Sequence, residues 1–366
     1  MYAQISQGSI QYRKKVKELA KRKVSDFPLW RNLFIALTFF IGTPVLLFST
    51  PALWSWWGIL ILAPILAVGF TMIGTTQHTA AHGAFSKDKK VSKFVSRAMF
   101  LLGIWLPNWV LEHNHYHHLH TNSYGMDRDL DSAEKVKMVF SPKSKIKPTH
   151  KQARWLFVMS LYALTFISWI PMADFTRLKR YHGLGRFPNK SWTRTVSEMA
   201  IFKACYFFVI MGIPLILGTP WYIVIPFWIV GWAMAGMLMM PIFQIAHINM
   251  FTQHYDDDHS PKDEGYDFYE HTLNTTIDFY WETPIFDKIM TNVIGWLNYQ
   301  TPHHHFRGIH PRYYAEVSKL IETEKWPDGV KYYRVPIVKA IKSHFEYLGN
   351  LTREEFRAMR SELHDM

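Results

Sequence analysis

The chain has 366 residues, of which 49% are hydrophobic and 16% aromatic, and it carries a formal net charge of +12. It is long and apolar enough to bury a large core, and its single cysteine, Cys205, excludes an intrachain disulfide framework. The positive charge could suggest a nucleic-acid partner. However, the basic residues flank apolar blocks, a distribution that favours membrane orientation over a nucleic-acid surface.

Four apolar blocks divide the chain, and each is near the roughly 20 residues that a helix needs to cross a hydrocarbon core of about 30 Å. The only charged residue within them is Lys203. Short uncharged links join the first block to the second and the third to the fourth. The sequence therefore predicts an all-α integral membrane protein with four transmembrane helices in two hairpins, at about 33–49, 52–73, 199–217 and 221–246.

Basic residues predict the orientation of these helices. Seven crowd the N-terminus: Arg13, Lys14, Lys15, Lys17, Lys21, Arg22 and Lys23. By the positive-inside rule the N-terminus is cytosolic, and the two hairpins return everything else to that side. Two weaker apolar stretches, 94–110 and 155–173, have basic residues within or around them. They are predicted to be helices that lie at the interface or pack shallowly on the spans.

The same features predict three segments along the chain. Residues 1–29 form a basic cytosolic segment, 30–345 a membrane domain, and 346–366 a cytosolic C-terminal tail. A cleaved signal peptide is not expected, because about 30 mostly polar residues precede the first apolar block. The expected location is a bacterial inner membrane or a membrane of the endoplasmic reticulum type.

Four histidine groups are predicted to meet on the cytosolic side. His78 and His82 follow the second block, and a spacing of four on a helix places both on one face. His247 ends the last block, where a histidine can also merely cap a helix C-terminus. A run of three histidines occupies 303–305. The separation of these groups along the sequence makes their predicted convergence informative.

The remaining group is the stretch HNHYHHLHTN, which begins at His113. On an α-helix His113 and His117 share a face, whereas His118 is turned by roughly 100° from its neighbour. Adjacent histidines would then reach different metal ions. His115 points away from that face, and His120 returns to it.

Imidazole is a ligand for zinc, copper, iron and nickel, so the ligand type alone does not name the metal. A structural zinc site needs four ligands and usually includes cysteine. The histidines here exceed that requirement and predict two metals with mostly neutral nitrogen ligands. Two irons are the expected pair if the substrate is oxidised, with copper and zinc as alternatives.

Together these residues resemble the membrane-bound fatty acid desaturases, which have three histidine boxes and a non-haem di-iron centre. HTAAH resembles the first box and HNHYHHLHTN the second. LNYQTPHHHF is similar to the QxxHH third box of front-end and related acyl-lipid desaturases. FQIAHINM resembles the segment after the last span, and NTTIDF the stretch before the third box. The resemblance runs from about residue 30 to 345.

The resemblance implies a set of metal ligands: His78, His82, His113, His117, His118, His247, His303 and His304. Further residues are candidates for orienting those ligands: Gln300, Asn122, Asp127, Asp129, His120 and His271. For the acidic run MDRDLD a solvated loop is an equal alternative, and for His271 a surface position is favoured. His305 departs from the family pattern and is not predicted to be a ligand.

The implied activity is that of an oxygen-dependent fatty acyl desaturase. Two non-haem irons and O2 would remove hydrogen from neighbouring methylene carbons of a lipid- or thioester-linked acyl chain, leaving a cis double bond and water. Electrons are expected from a separate cytochrome b5 or ferredoxin, because no HPGG haem motif of a fused cytochrome b5 domain occurs.

Three alternatives remain. A hydroxylase or epoxidase of the same superfamily would use the same residues. A histidine-rich metal transporter or a membrane haem carrier is disfavoured, because both need histidines inside the spans and these blocks have no internal histidine.

Overall fold

A computed structural model describes residues 2–123, 126–127, 151–255 and 261–350. The chain divides into two compact units. We call the first, Asp26–Leu111 with Ser160–Met240, the helical unit. We call the second, Met1–Ser25 with Glu112–Met159 and Pro241–Met366, the histidine unit.

The described residues are mostly helical. The α-helices are α1 (Gln7–Leu19), α2 (Phe27–Ser49), α3 (Trp56–Ala81), α4 (Lys89–Arg97), α5 (Leu106–Trp109), α6 (Lys151–Ser168), α7 (Asp174–Gly183), α8 (Trp192–Phe207), α9 (Ile213–Ile216), α10 (Trp221–His247), α11 (Phe268–Thr275), α12 (Pro284–Val293), α13 (Gln300–His305), α14 (Tyr314–Thr323) and α15 (Ile337–Asn350). Short 3₁₀ helices are Pro51–Leu53, Ala98–Leu102 and Pro311–Tyr313, and π-helical segments are Val110–His117, Trp169–Ala173 and Phe208–Gly212. The strands β1 (Asp278–Tyr280) and β2 (Arg334–Pro336) pair in parallel.

Five described helical stretches are long and apolar enough to cross a membrane: Phe27–Ser49, Trp56–Ala81, Trp155–Gly183, Trp192–Ile216 and Trp221–His247. The prediction of an all-α integral membrane fold is confirmed, and four of the five stretches are the predicted spans. The 29-residue stretch from Trp155 adds a fifth candidate to the predicted count of four. Basic residues flank this stretch at both ends, which placed both ends on the cytosolic side and therefore favoured an interfacial helix. Charge does not report on whether the helix is long enough to cross.

The other weakly apolar stretch is a bent helix pair. Lys89–Leu102 and Leu106–His117 are related by a bend of 112°, and together they satisfy the same test of length and apolarity as one broken span. Gly103 lies at the bend with a φ of +66°, and a Cβ there would come within 2.6 Å of the Tyr206 ring. Glycine meets both requirements, a left-handed conformation and a close approach.

Lys203, the lone charge of the third apolar block, is buried in the helical unit and fully partnered. Its Nζ lies 2.6 Å from the Asp174 carboxylate and donates at the same distance to the carbonyls of Gly103 and Ile170. A charge removed from water is tolerated when it is paired and hydrogen-bonded in this way. The cluster therefore links three segments of the helical unit that are distant in sequence.

Asp174 also accepts hydrogen bonds from residues at the start of α5. Its carboxylate accepts the Trp105 backbone N–H at 2.9 Å. Its backbone carbonyl accepts the Asn108 side-chain amide at 2.8 Å. Because the first N–H groups of a helix have no partner within the helix, a buried carboxylate is a suitable acceptor there.

The ends of the helices in the histidine unit follow local sequence signals. α11 begins at a capping box, in which the side chains of Asp267 and Glu270 each accept the other's backbone N–H. α13 begins where Asp278 of β1 accepts the Thr301 N–H at 2.9 Å. The contact between Asp278 and Thr301 sets the position of α13, the short helix that carries His303, His304 and His305.

Candidate metal centre

The histidine-rich stretch that begins at His113 lies on a π-helical turn. The backbone N–H of His118 donates to the carbonyl of His113 at 3.1 Å, five residues earlier, instead of to a carbonyl four residues earlier. The wider turn brings Nε2 of His118 within 3.1 Å of Nε2 of His113. The rings of His113 and His117 also stack, with centroids 5.2 Å apart, so they share a face as predicted. His117 and His118 fall into different groups of close ring nitrogens, and their binding of different metal ions stays a prediction.

The first candidate metal-binding group within the histidine unit consists of His113, His118 and His303. One ring nitrogen of each lies within 4.8 Å of the others, and all three side chains are buried. Nδ1 of His303 lies 3.3 Å from the hydroxyl of Tyr314, which directs its Nε2 away from that hydroxyl. Three buried imidazoles that face one another form a site that can hold a metal ion.

The second candidate metal-binding group consists of His117, His247 and His304, whose ring nitrogens also lie within 4.8 Å of one another. The three come from the π-helical segment, the end of α10 and α13. All are buried. Residues separated by up to 187 positions thus meet at one point, which is the convergence that the sequence predicted for them.

The hydrogen bonds of the second group direct its Nδ1 atoms outward. Nδ1 of His117 lies 3.0 and 3.1 Å from the two carboxylate oxygens of Asp127. Nδ1 of His247 donates to the carbonyl of Thr275 at 3.2 Å. Since a carbonyl or carboxylate can only accept, both Nδ1 atoms carry the proton and both Nε2 atoms keep a lone pair for a metal.

His304 follows the same pattern. The Thr121 hydroxyl donates to the His117 carbonyl at 3.0 Å, so its oxygen is available to accept from Nδ1 of His304 at 3.2 Å. Nε2 of His304 is buried and has no hydrogen-bond partner among the described residues. Burial, with the neighbouring histidines, holds the pKa of His304 well below its ordinary value. A neutral imidazole with an unused buried lone pair fits a metal ligand.

His78 and His82 form a pair in the helical unit. They lie at the C-terminal end of α3, with ring centroids 4.7 Å apart, and both rings contact Trp109. His78 is buried and His82 is half-buried. The helical spacing places both rings on one face as expected, and their role as metal ligands stays a prediction.

Asn122 joins the segments that carry the second group. Its side-chain amide donates to the carbonyls of His247 and Gln253 at 2.9 Å and to that of Thr275 at 3.2 Å. Its backbone N–H donates to Asp127 at 2.9 Å. The residue has a φ of +57°, a left-handed conformation that asparagine tolerates better than most residues. Asn122 therefore positions both the loop and the carboxylate that orients His117.

The other predicted orienting residues have different surroundings. Gln300 is buried and begins α13. His120 and His115 lie outside both groups of close ring nitrogens among the described residues. Asp129 lies outside the described residues.

His271 is fully buried, which corrects the expectation that it lies on the surface. Its Nε2 donates to the carbonyl of Thr121 at 2.9 Å, and its ring contacts Tyr2 and Tyr255. Burial lowers the pKa of His271 to about 3. His271 is thus a neutral residue that supports Thr121, the hydroxyl partner of His304. A single histidine between polar residues carried no sequence signal of burial.

His305 is not placed as a ligand, in agreement with the sequence analysis. Its Nδ1 lies 3.0 Å from the Tyr12 hydroxyl, and its Nε2 donates to the Tyr269 carbonyl at 3.0 Å. Burial lowers the pKa of His305 to about 4. Because both ring nitrogens have protein partners, neither is left for a metal.

Sequence reasoning missed several residues that contact the histidines. Thr121 and Thr275 supply a hydroxyl and a carbonyl to ligand Nδ1 atoms, and Tyr314 lies beside His303. Backbone carbonyls leave no trace in a sequence. The one available signal was Thr121 itself, which lies within the histidine-rich stretch at one turn from His117.

Apolar helices able to span a membrane, together with buried histidine groups, define a helical membrane protein with histidine clusters that could bind metal. The chain matches the family model for fatty acid desaturases over residues 54–336. It belongs to that family and is an oxidoreductase that acts on fatty acyl substrates.

Known relatives agree with this assignment. The chain is 28% identical over 271 residues to the sn-1 linoleoyl-lipid 6-desaturase of Arthrospira platensis, covering 73% of this chain and 69% of that protein. It is 25% identical to the protein of the same name from Synechocystis sp., covering 87% and 85%. It is 26% identical to acyl-lipid (8-3)-desaturase B of Dictyostelium discoideum, covering 89% and 70%. The sequence-based predictions of family and of desaturase activity are confirmed.

Proposed function

We propose that this protein is a di-iron acyl-lipid desaturase of the front-end type. The observation that carries the proposal is the second candidate metal-binding group, His117, His247 and His304. Each of its three buried rings turns its Nδ1 toward a protein acceptor. That arrangement presents three neutral Nε2 atoms to one point. Iron accepts such ligands, and the family chemistry requires a redox-active metal.

The proposed ligands of the histidine unit are the six histidines of its two groups: His113, His118, His303, His117, His247 and His304. His78 and His82 are proposed as further ligands. The side chains around them fix the rings, exclude water and keep the imidazoles neutral. Bound iron supplies the activation of O2 that the removal of hydrogen from an alkyl chain requires.

The overall reaction balances with an external reductant. Two neighbouring methylene groups lose two hydrogen atoms, and O2 accepts these together with two electrons and two protons. The products are one cis double bond and two molecules of water. The two external electrons must come from a donor protein, for which a cytochrome b5 or a ferredoxin is proposed.

The proposed substrate is an acyl chain that is esterified in a membrane lipid, rather than an acyl thioester. The three relatives described above are all named as lipid-linked desaturases. A substrate held in the bilayer suits an enzyme with apolar helices able to span it. The proposed location is a bacterial inner membrane or an endoplasmic-reticulum-type membrane. The histidine unit would lie on the cytosolic side, in line with the basic residues that precede Phe27.

Expression in a host that supplies a suitable donor tests this function. We expect a new unsaturated species among the fatty acid methyl esters of the membrane lipids, and about two irons per purified chain without haem absorbance. A hydroxylated or epoxidised product in place of the double bond would favour the related hydroxylases. Zinc as the only metal of the active protein would contradict the di-iron centre.

A further inference from the structure

An open groove of about 930 Å³ lies between α1 and α14 in the histidine unit. Its polar lining is mainly basic and includes Lys14, Lys15, Arg22, Lys319, Glu18 and Glu316. The segment 7–23 supplies three of these basic residues and one of the acidic ones. The groove therefore has a net positive lining, and we call it the basic groove.

The acidic side chains at the basic groove are already paired. Glu18 pairs with Lys21 at 2.7 Å, and Glu316 pairs with Arg22 at 2.9 Å. Lys14 of α1 and Lys319 of α14, which both line the groove, are exposed and have no ion-pair partner among the described residues. The uncompensated positive charge of the groove thus lies on both of its helices.

The apolar lining of the groove, Leu19 and Leu320, belongs to a core cluster that includes an aromatic contact leading toward the proposed ligands. Tyr12 of α1 is buried, and its hydroxyl lies 3.0 Å from Nδ1 of His305. The half-buried ring of Trp326 lies 5.4 Å from the Tyr12 ring and 6.4 Å from the His305 ring, between centroids. His305 follows His304 on α13. A continuous path of packed rings and one peptide bond therefore connects the protein surface to a proposed iron ligand.

The structure favours a protein partner over a lipid surface at this groove. A helix that lies on a membrane inserts an apolar face beside its cations. In α1 the apolar residues Tyr12, Val16 and Leu19 are buried in the histidine unit, and the only exposed aliphatic residue of the helix is Ile10. The helix therefore presents cations without the apolar face that membrane insertion needs.

We propose that the basic groove is the docking surface for an acidic one-electron carrier protein, and that Trp326, Tyr12 and His305 lie on the path of its electrons toward His304. The proposal rests on the proposed desaturase function, since that reaction consumes two external electrons. The carrier is oxidised twice for each double bond, and the metal site is reduced by one electron each time. No atom is transferred between the two proteins.

Charge is expected to act mainly on the rate of association. Complementary surface charge raises association rates by roughly 10- to 1,000-fold at low ionic strength, and salt screens that attraction beyond about 10 Å at 0.1 M. An acidic carrier should therefore bind more weakly as salt is raised. Reversing the charge of Lys14 and Lys319 should flatten that dependence.

The first experiment measures the binding of purified ferredoxin and of purified cytochrome b5 to the full chain in nanodiscs. The test variant is Lys14→Glu with Lys319→Glu, the two unpaired lysines of the lining. The matched control is Lys288→Glu with Lys339→Glu, which reverses two exposed lysines on α12 and α15. We expect the test variant to lose about tenfold in affinity at low salt for the carrier that binds the wild type. The control should retain its affinity.

The second experiment tests the electron path in the iron-loaded protein by stopped-flow reduction. Tyr12→Phe removes the hydroxyl that contacts His305 and keeps the ring, and Trp326→Leu removes the outer ring. Both variants should be reduced more slowly by the carrier, with unchanged carrier affinity and unchanged reduction by dithionite. A slower reaction with dithionite as well would show damage to the centre and would overturn the assigned path.

Unchanged carrier affinity in the lysine variant, or equal loss in its control, would overturn the docking surface. So would selective loss of binding to phosphatidylglycerol vesicles with carrier affinity intact, because that result assigns the groove to anionic lipid. If the wild type forms no double bond with either donor, the proposed function itself fails. Product formation together with unchanged carrier binding defeats only this inference.

Discussion

Both carboxylate oxygens of Asp127 lie within 3.1 Å of Nδ1 of His117. The carboxylate also accepts the backbone N–H of Asn122, which fixes it in place. A buried carboxylate of this kind holds the ring in one orientation and makes Nε2 a stronger ligand.

Asp127→Asn should weaken metal binding while preserving the fold. The amide keeps the size of the side chain but loses the charge, and losses of about 10- to 100-fold in metal affinity are typical for such partners. Iron content after dialysis against graded chelator measures this effect. Asp328→Asn, in an exposed turn, is the control and should keep the wild-type iron content. Equal iron loss in both variants would contradict the role of Asp127.

Substitutions of different histidines by alanine are expected to differ sharply in their effect on activity. His304→Ala removes a buried ring whose Nε2 has no hydrogen-bond partner in the part of the chain that the structure describes, and it should abolish the unsaturated product. His115→Ala should largely retain the product, because His115 lies outside both groups of close ring nitrogens. Chromatography of fatty acid methyl esters, normalised to protein level, compares the two. Similar losses would break the division between ligands and neighbours.

The buried Lys203–Asp174 pair predicts a non-additive effect on stability. Lys203→Met leaves the Asp174 carboxylate buried without its cation, and breaking such a pair typically costs about 3–5 kcal/mol. Adding Asp174→Asn removes the orphaned charge and should recover part of that loss. Thermal unfolding of the single and double variants in detergent measures the difference. A double variant that is less stable than Lys203→Met would show that the carboxylate acts mainly through Trp105 and Asn108.

Asp278 gives the protein a pH dependence. Burial raises its pKa from 3.8 to about 7, although the Tyr332 hydroxyl and the Thr301 N–H oppose the shift. Because the folded state holds this proton more tightly than the unfolded state, the stability from Asp278 is complete below pH 3.8 and is lost as pH rises through about 7. The full loss is on the order of 4 kcal/mol.

Asp278→Asn should remove this part of the pH dependence. Thermal unfolding of the variant and of the wild type between about pH 5 and about pH 8 measures the difference, because that range brackets the pKa of about 7 of the Asp278 carboxyl. Tyr332→Phe removes a hydrogen bond that favours the ionised carboxylate, so it should move the transition to higher pH. A shift to lower pH in Tyr332→Phe would contradict the described contact.

The apolar spans and the ligand candidates could be predicted from the sequence because both are recorded locally. A block of about 20 apolar residues is itself long enough to indicate a membrane span, and histidines at short spacing mark candidate metal ligands. The charge bias around Trp155–Gly183 was less informative, because it concerns the sides of the membrane and not the length of a helix.

The sequence alone determined the class of protein, its membrane character and the residues from which a metal centre can be built. Only the tertiary structure paired His113 with His118, because a π-helical turn depends on which backbone acceptor the surroundings leave available. It also buried His271 and Asp278, and placed His305 against Tyr12. Those contacts join residues far apart in the chain, so their energies depend on packing that no local pattern encodes.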